Sequence, residues 1–136
     1  MTPEGRVKAA VKRELDKYPD HYREMPVPGG YGKSGLDFTV CFFGRFLAIE
    51  TKADGKEPTG RQNKRIDEIE QAGGVTCVVI GVEEAKTVLR PLLERLAKDR
   101  GLDDTRTSQP QTQDGGSAVC AGGAEPVPRR ARTHGR

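Results

Sequence analysis

The chain reads as an α/β protein, with helices packed on a small mixed sheet. Three observations predict this. Apolar residues recur at helical spacing in three separate stretches. Two β-rich segments, Asp37–Phe42 and Arg45–Lys52, adjoin across the pair Phe43-Gly44. The apolar run Val75–Ile80 lies between two of the helical stretches, as a buried central strand would. The predicted order is α-β-β-β-α-β-α.

Thr2 and Pro3 form an N-cap and first-turn pair, and Val7, Ala10, Val11, Leu15 and Tyr18 follow at helical spacing, so a first helix should run until Pro19 ends it. His21–Val27 is the expected first strand, and Pro28–Gly35, with Gly29, Gly30, Gly32 and Gly35, must be a loop. After the two central strands, Thr59 caps a second helix on which Gln62, Ile66, Ile69 and Gly73 share a face, and Gly73-Gly74 stops it. Ala85, Val88, Leu89, Leu92 and Leu96 mark a last helix, which Pro91 should kink or split.

The 136 residues suffice for one modest core. Composition changes near Arg100: residues 100–136 hold no Phe, Tyr or Trp and one leucine, and are rich in Gly, Gln, Thr, Pro and Arg. Such a stretch buries too little apolar area to offset its ordering entropy, so the expected division is a folded domain over 1–99 and a disordered tail over 100–136. No apolar run approaches the roughly 18 residues that span a bilayer, and the first residues lack the apolar core of a signal peptide. Three cysteines without C-x-x-C spacing argue against a disulfide framework and a structural zinc site. Cys41 and Cys77 lie in apolar runs, where a buried free thiol is the ordinary expectation, and the implied setting is a reducing cytoplasm. The net charge of +3 is too small to imply a polyanionic partner. The terminal RRARTHGR, four arginines without an acid, fits either a solvated tail or a non-specific hold on a nucleic acid backbone.

The chemistry begins with hairpin register. If Phe43-Gly44 is a two-residue turn, counting back along both strands sets Asp37 opposite Glu50, and Lys52 points to the same face as Glu50. The cross-strand partner of Lys52 would then be Gly35, which leaves open space beyond the amine. Two like charges about 5 Å apart repel by roughly 3 kcal/mol at an effective dielectric near 20. Such a pair calls for a compensating cation, and carboxylate oxygens select a hard one such as Mg²⁺ or Mn²⁺. Phe is a poor residue for a turn position with positive φ. A four-residue loop over Phe42–Arg45 keeps the register, whereas a three-residue loop shifts it by one and separates the pair. Register aside, both acids can also simply sit solvated at strand ends.

The ordered set GGYGKSGLDF, FLAIETKA and PTGRQNKRIDEIEQAGG resembles the VRR-NUC family of the PD-(D/E)XK nuclease superfamily, over residues 4 to about 80. Asp37 matches the first motif acid, Glu50-Thr51-Lys52 the E-x-K, Gln62 the glutamine of the following helix, and Glu4 the glutamate of the first helix. The resemblance implies a restriction-endonuclease-like fold and a Mg²⁺-dependent DNA nuclease. Asp37 and Glu50 would hold the metal with the Thr51 carbonyl, and Glu4 would reach it through water or bind a second ion. Lys52 would orient the attacking water and stabilise charge on the phosphate, leaving a 5′-phosphate and a 3′-hydroxyl. Small single-domain members look like Holliday-junction resolvases, often phage-encoded and dimeric. The implied partners are therefore branched or duplex DNA and a second copy of the chain, in a bacterial or phage-infected cytoplasm.

Each of these residues also has a plainer reading. Thr59-x-x-Gln62 is a capping box, in which the glutamine returns to the N-cap amide; this and an active-site role can coexist only in part, because one amide has few hydrogen bonds to give. Glu4 also suits a helix N-terminus by its charge alone. Lys33-Ser34 is not a P-loop, because Val27 stands where the first glycine belongs and a strand follows. Lys33 and the cluster Arg61, Lys64 and Arg65 are candidate phosphate contacts, with a solvated face as the default. His21 and His134 receive no role. Two other functions compete: a DNA-binding module that keeps the fold without catalysis, and a metal protein whose cluster serves stability alone.

Overall fold

The computed structural model describes residues 1–27 and 35–103, the last three as backbone only. Lys33 and most of the glycine loop, Cys120, His134 and the arginine-rich terminus lie outside the described residues.

The first helix, α1, spans Pro3–Leu15, capped by the Thr2 hydroxyl, which accepts from the Gly5 amide. It ends earlier than the apolar spacing suggests. Pro19 disfavours helical backbone at Tyr18, so the chain closes with turn bonds from Lys17 N–H to the Glu14 carbonyl and from Tyr18 N–H to that of Leu15. The first strand, β1, is also shorter than expected, Tyr22–Glu24. Pro26 and Pro28 follow at once and have no N–H to give to a ladder.

Strands β2 (Phe38–Phe42) and β3 (Arg45–Lys52) form the hairpin in the anticipated register, with Phe42 opposite Arg45 and Phe38 opposite Ile49. Its turn has two residues, Phe43 at φ 50° and Gly44 at φ 79°. A phenylalanine tolerates that backbone because its ring is held edge-on by Phe42 (4.7 Å between centroids) and Tyr18 (6.1 Å), with the Arg100 guanidinium 4.8 Å from its centre. Helix α2 (Gly60–Gln71) closes with both Schellman hydrogen bonds, Gly73 N–H to Glu70 and Gly74 N–H to Ile69, with Gly73 at φ 91°. Strand β4 (Val75–Ile80) then pairs parallel to β3, which completes the order β1-β2-β3-β4.

The final helical run is α3 (Gly81–Glu84), a π turn over Ala85–Leu89, and α4 (Arg90–Asp103). The break expected at Pro91 is this π turn. Without an N–H, and with a ring that would strike the Thr87 carbonyl in a regular helix, Pro91 is accommodated by widening the turn before it; Arg90 N–H bonds back to Ala85. Helix α4 runs to Asp103, slightly past the expected domain boundary.

The core lies between the sheet and the layer of α1, α3 and α4. Val7, Val11, Leu15, Phe38, Val40, Phe42, Leu47, Ile49, Val79, Leu89 and Leu93 are all sealed from solvent there. Helix α2 covers the opposite face of β3 and β4 and buries no residue fully. Cys77 is buried as expected, but Cys41 is exposed. The run FTVCFF is a strand whose even-numbered side chains Phe38, Val40 and Phe42 enter the core, so Cys41 turns outward. Among the described residues no helix is long and apolar enough to cross a membrane.

Candidate active site

The N-terminal end of β2 and the C-terminal end of β3 meet between α1 and α2, where the sequence-predicted residues collect. Asp37 stands one residue before β2, in a bend, still opposite Glu50 by register. Its N–H donates to Glu50 Oε2 (3.3 Å). The Asp37 carboxylate turns towards Thr51: Oδ2 accepts from the Thr51 N–H (2.9 Å) and the Thr51 hydroxyl (2.6 Å). Thr51 was expected to offer its carbonyl to a metal; its amide and hydroxyl fix the orientation of Asp37.

Glu50 is 1% exposed. Besides the Asp37 amide, it receives Gln62 Nε2 (2.5 Å) and lies 3.4 Å from Lys52 Nζ, both at Oε1. Burial raises the Glu50 pKa, the negative charge of Asp37 raises it further, and Lys52 and the Asp37 amide pull the other way. Lys52 does not face open space as expected: its side chain is 12% exposed. Gln62 closes the capping box and reaches Glu50 at the same time, because the two contacts use opposite ends of one amide. Its Oε1 accepts from the Thr59 N–H (2.8 Å), completing the capping box, while its Nε2 holds Glu50.

Lys8 completes the group and was not anticipated. Its ammonium lies 3.0 Å from Asp37 Oδ1 and 3.8 Å from Glu4. Burial opposes its charge, but Asp37 outweighs this, with Glu4 and Glu50 adding, and the Lys8 pKa is raised. The signal was present in the sequence, since Lys8 follows Glu4 by four residues and shares its helical face. Glu4 therefore touches the site through Lys8. Among the described residues, no three His, Cys, Asp or Glu side chains converge on one point.

Beside Asp37 and Gln62 opens a cleft of about 230 Å³ that Arg61, Arg65, Val27 and Gly35 also line. Arg65 is also bonded to Glu68 at 2.7 Å. Lys64, two residues on from Gln62, is exposed and is not among the residues that line this cleft.

The donor chemistry suits a hard divalent cation. It comprises two carboxylates of facing strand ends with oxygen donors alone, and a cation, the Lys8 ammonium, already stands against Asp37 Oδ1.

The sequence matches no family model and no curated protein. Its structure does match solved ones. A "VRR_NUC domain" is 21% identical with a TM-score of 0.56, over 65% of this chain and 96% of that one. A "VRR_NUC domain protein" is 17% identical with a TM-score of 0.51, over 72% of this chain and 89% of that one. At these identities the likeness is one of fold: the chain has the fold of these VRR_NUC domains.

Proposed function

We propose that the chain is a metal-dependent deoxyribonuclease. The observation that carries this is the paired end of β2 and β3, where one carboxylate bears an ammonium and the other is held between an amine and a carboxamide. Asp37 and Glu50 hold Mg²⁺, for which Mn²⁺ can substitute. When bound, the ion supplies a Lewis acid against the scissile phosphate and a water of lowered pKa. Thr51 fixes the rotamer of Asp37, and Gln62 that of Glu50. Lys52 orients the attacking water and stabilises negative charge that develops on the phosphate. Water adds at phosphorus and the bond to the 3′-oxygen breaks, leaving a 5′-phosphate and a 3′-hydroxyl. Arg61 and Arg65 offer cations to the backbone of a strand lying in the adjacent cleft. The proposed substrate is branched or duplex DNA, and the proposed assembly is a homodimer, because cutting two strands needs two such sites.

The test compares wild type with Lys52→Ala on a labelled four-way junction and a matched duplex, with Mg²⁺ or EDTA. Cleavage that needs Mg²⁺ and falls at least about a hundredfold in the variant supports the reading. Preference for the junction selects a resolvase over a general nuclease. A rival reading, a DNA-binding module without catalysis, draws on the fact that Lys8 and Lys52 already balance the two carboxylates. Metal-independent binding with no cutting of either substrate would select it.

A further inference from the structure

The two lysines at the site are held differently. Lys52 is nearly enclosed, and its partner oxygen, Glu50 Oε1, is also fixed by Gln62. Lys8 projects from α1 with its side chain 32% exposed, and Glu4, one turn back, is 39% exposed beside it. On Asp37, Oδ2 is committed to both donors of Thr51. Oδ1 is the oxygen left for a cation, and Lys8 stands on it at 3.0 Å.

We propose that Lys8 is a displaceable counter-ion. In the metal-free protein its ammonium occupies the coordination position on Asp37 that a divalent cation takes, so metal entry and the Lys8–Asp37 pair exclude each other. The proposal rests on reading Asp37 as a metal ligand. An ammonium and a divalent ion on one carboxylate oxygen repel strongly, so one must leave. Lys8 is the one that can, because its exposed stem lets the amine swing out, and Glu4 receives it. This gives Glu4 a part in the site: it lowers the cost of moving Lys8 aside. The arrangement also keeps the two carboxylates charge-balanced while no metal is bound, which limits the repulsion that would otherwise act against the hairpin. It sets a threshold too, since metal affinity is reduced by whatever the lysine pair contributes.

The test uses the full chain and Mn²⁺ alone, read by loss of the free-ion spin-resonance signal and by melting in EDTA and in saturating Mn²⁺. Lys8→Gln should bind Mn²⁺ about tenfold more tightly than wild type, equivalent to about 1.4 kcal/mol. It should melt lower than wild type in EDTA and regain the difference in Mn²⁺. Lys12→Gln removes the same charge one turn further along α1 and should stay within about twofold. Glu4→Gln should weaken Mn²⁺ binding in wild type and have no effect in the Lys8→Gln background, because its action runs through Lys8. Equal or weaker binding by Lys8→Gln overturns the proposal, and so does an equal gain in Lys12→Gln, which would make it a matter of net charge. A Glu4→Gln effect that persists without Lys8 overturns the assignment of Glu4. If neither wild type nor Lys8→Gln binds Mn²⁺, the metal reading falls and this one with it; if wild type binds and Lys8→Gln matches it, this proposal alone falls.

Discussion

Phe43 shows how a residue can sit against its local preference. Left-handed backbone at a non-glycine costs roughly 1 to 2 kcal/mol, and the ring recovers it through Tyr18, Phe42 and Arg100. Replacing Phe43 with Asn, the better turn residue, should therefore lower stability, by about 1 kcal/mol in urea denaturation, because the lost aromatic contacts exceed the backbone gain. Stabilisation by that change would show that the ring cluster contributes little. The sequence made Phe43 look like the weak point of the hairpin, and the rings that support it could not be read from neighbouring positions. The register was legible as far as the turn length, since a loop of two or four residues gives the observed pairing and one of three does not. The outward turn of Cys41 follows from that same alternation and was missed only because its apolar neighbours suggested a buried thiol.

At the scale of elements, α1 and α4 are joined by an ion pair between residues 76 positions apart. Arg90 Nε and an η nitrogen bond the two oxygens of Glu14 at 3.0 and 2.8 Å, and Lys17 adds a third contact at 2.7 Å. The Arg90 hydrogen bond, against the opposing effect of burial and with help from Lys17, lowers the Glu14 pKa to about 2. A carboxyl with a depressed folded pKa stabilises above its unfolded value, and this is lost as pH falls through the folded one. With Arg90 partly exposed to solvent, the contribution is about 2 kcal/mol at neutral pH. Glu14→Gln should thus be less stable than wild type at pH 7 by about that amount. The gap should narrow below about pH 4 and close near the folded pKa; a gap of constant size from pH 7 to pH 3 would show that the charge is not responsible. No periodicity in the sequence could reveal this pair, since it exists only once the two helices pack.

For the whole molecule, the site lies where four elements end or begin: α1, the bend before β2, the end of β3 and the first turn of α2. The sequence carried the parts on β2, β3 and α2, because strand pairing and a capping box are local rules. It carries the Glu4–Lys8 spacing on α1 but not the packing of that helix against the sheet, which is what sets Lys8 on Asp37. Residues 104–136 lie beyond α4. Truncation after Asp103 should leave melting and cleavage of a short duplex in place. It should weaken DNA binding and flatten its salt dependence, because arginines that displace counterions are removed. An unchanged salt slope would assign the backbone contacts wholly to the folded domain.

Because one carboxamide closes the capping box and also grips Glu50, the start of α2 and the acidic pair open or stay shut together. Fraying of a helix end is ordinarily the least costly motion in a protein, yet here each fraying event releases Glu50 Oε1 from its carboxamide partner. Thr59, exposed and lining the same cleft as Asp37, thereby acquires influence over the geometry of the acidic pair. Thr59→Ala should accelerate amide exchange at Gln62 in proportion to the open population, whereas cleavage should fall only by the fraction of the closed state that is lost.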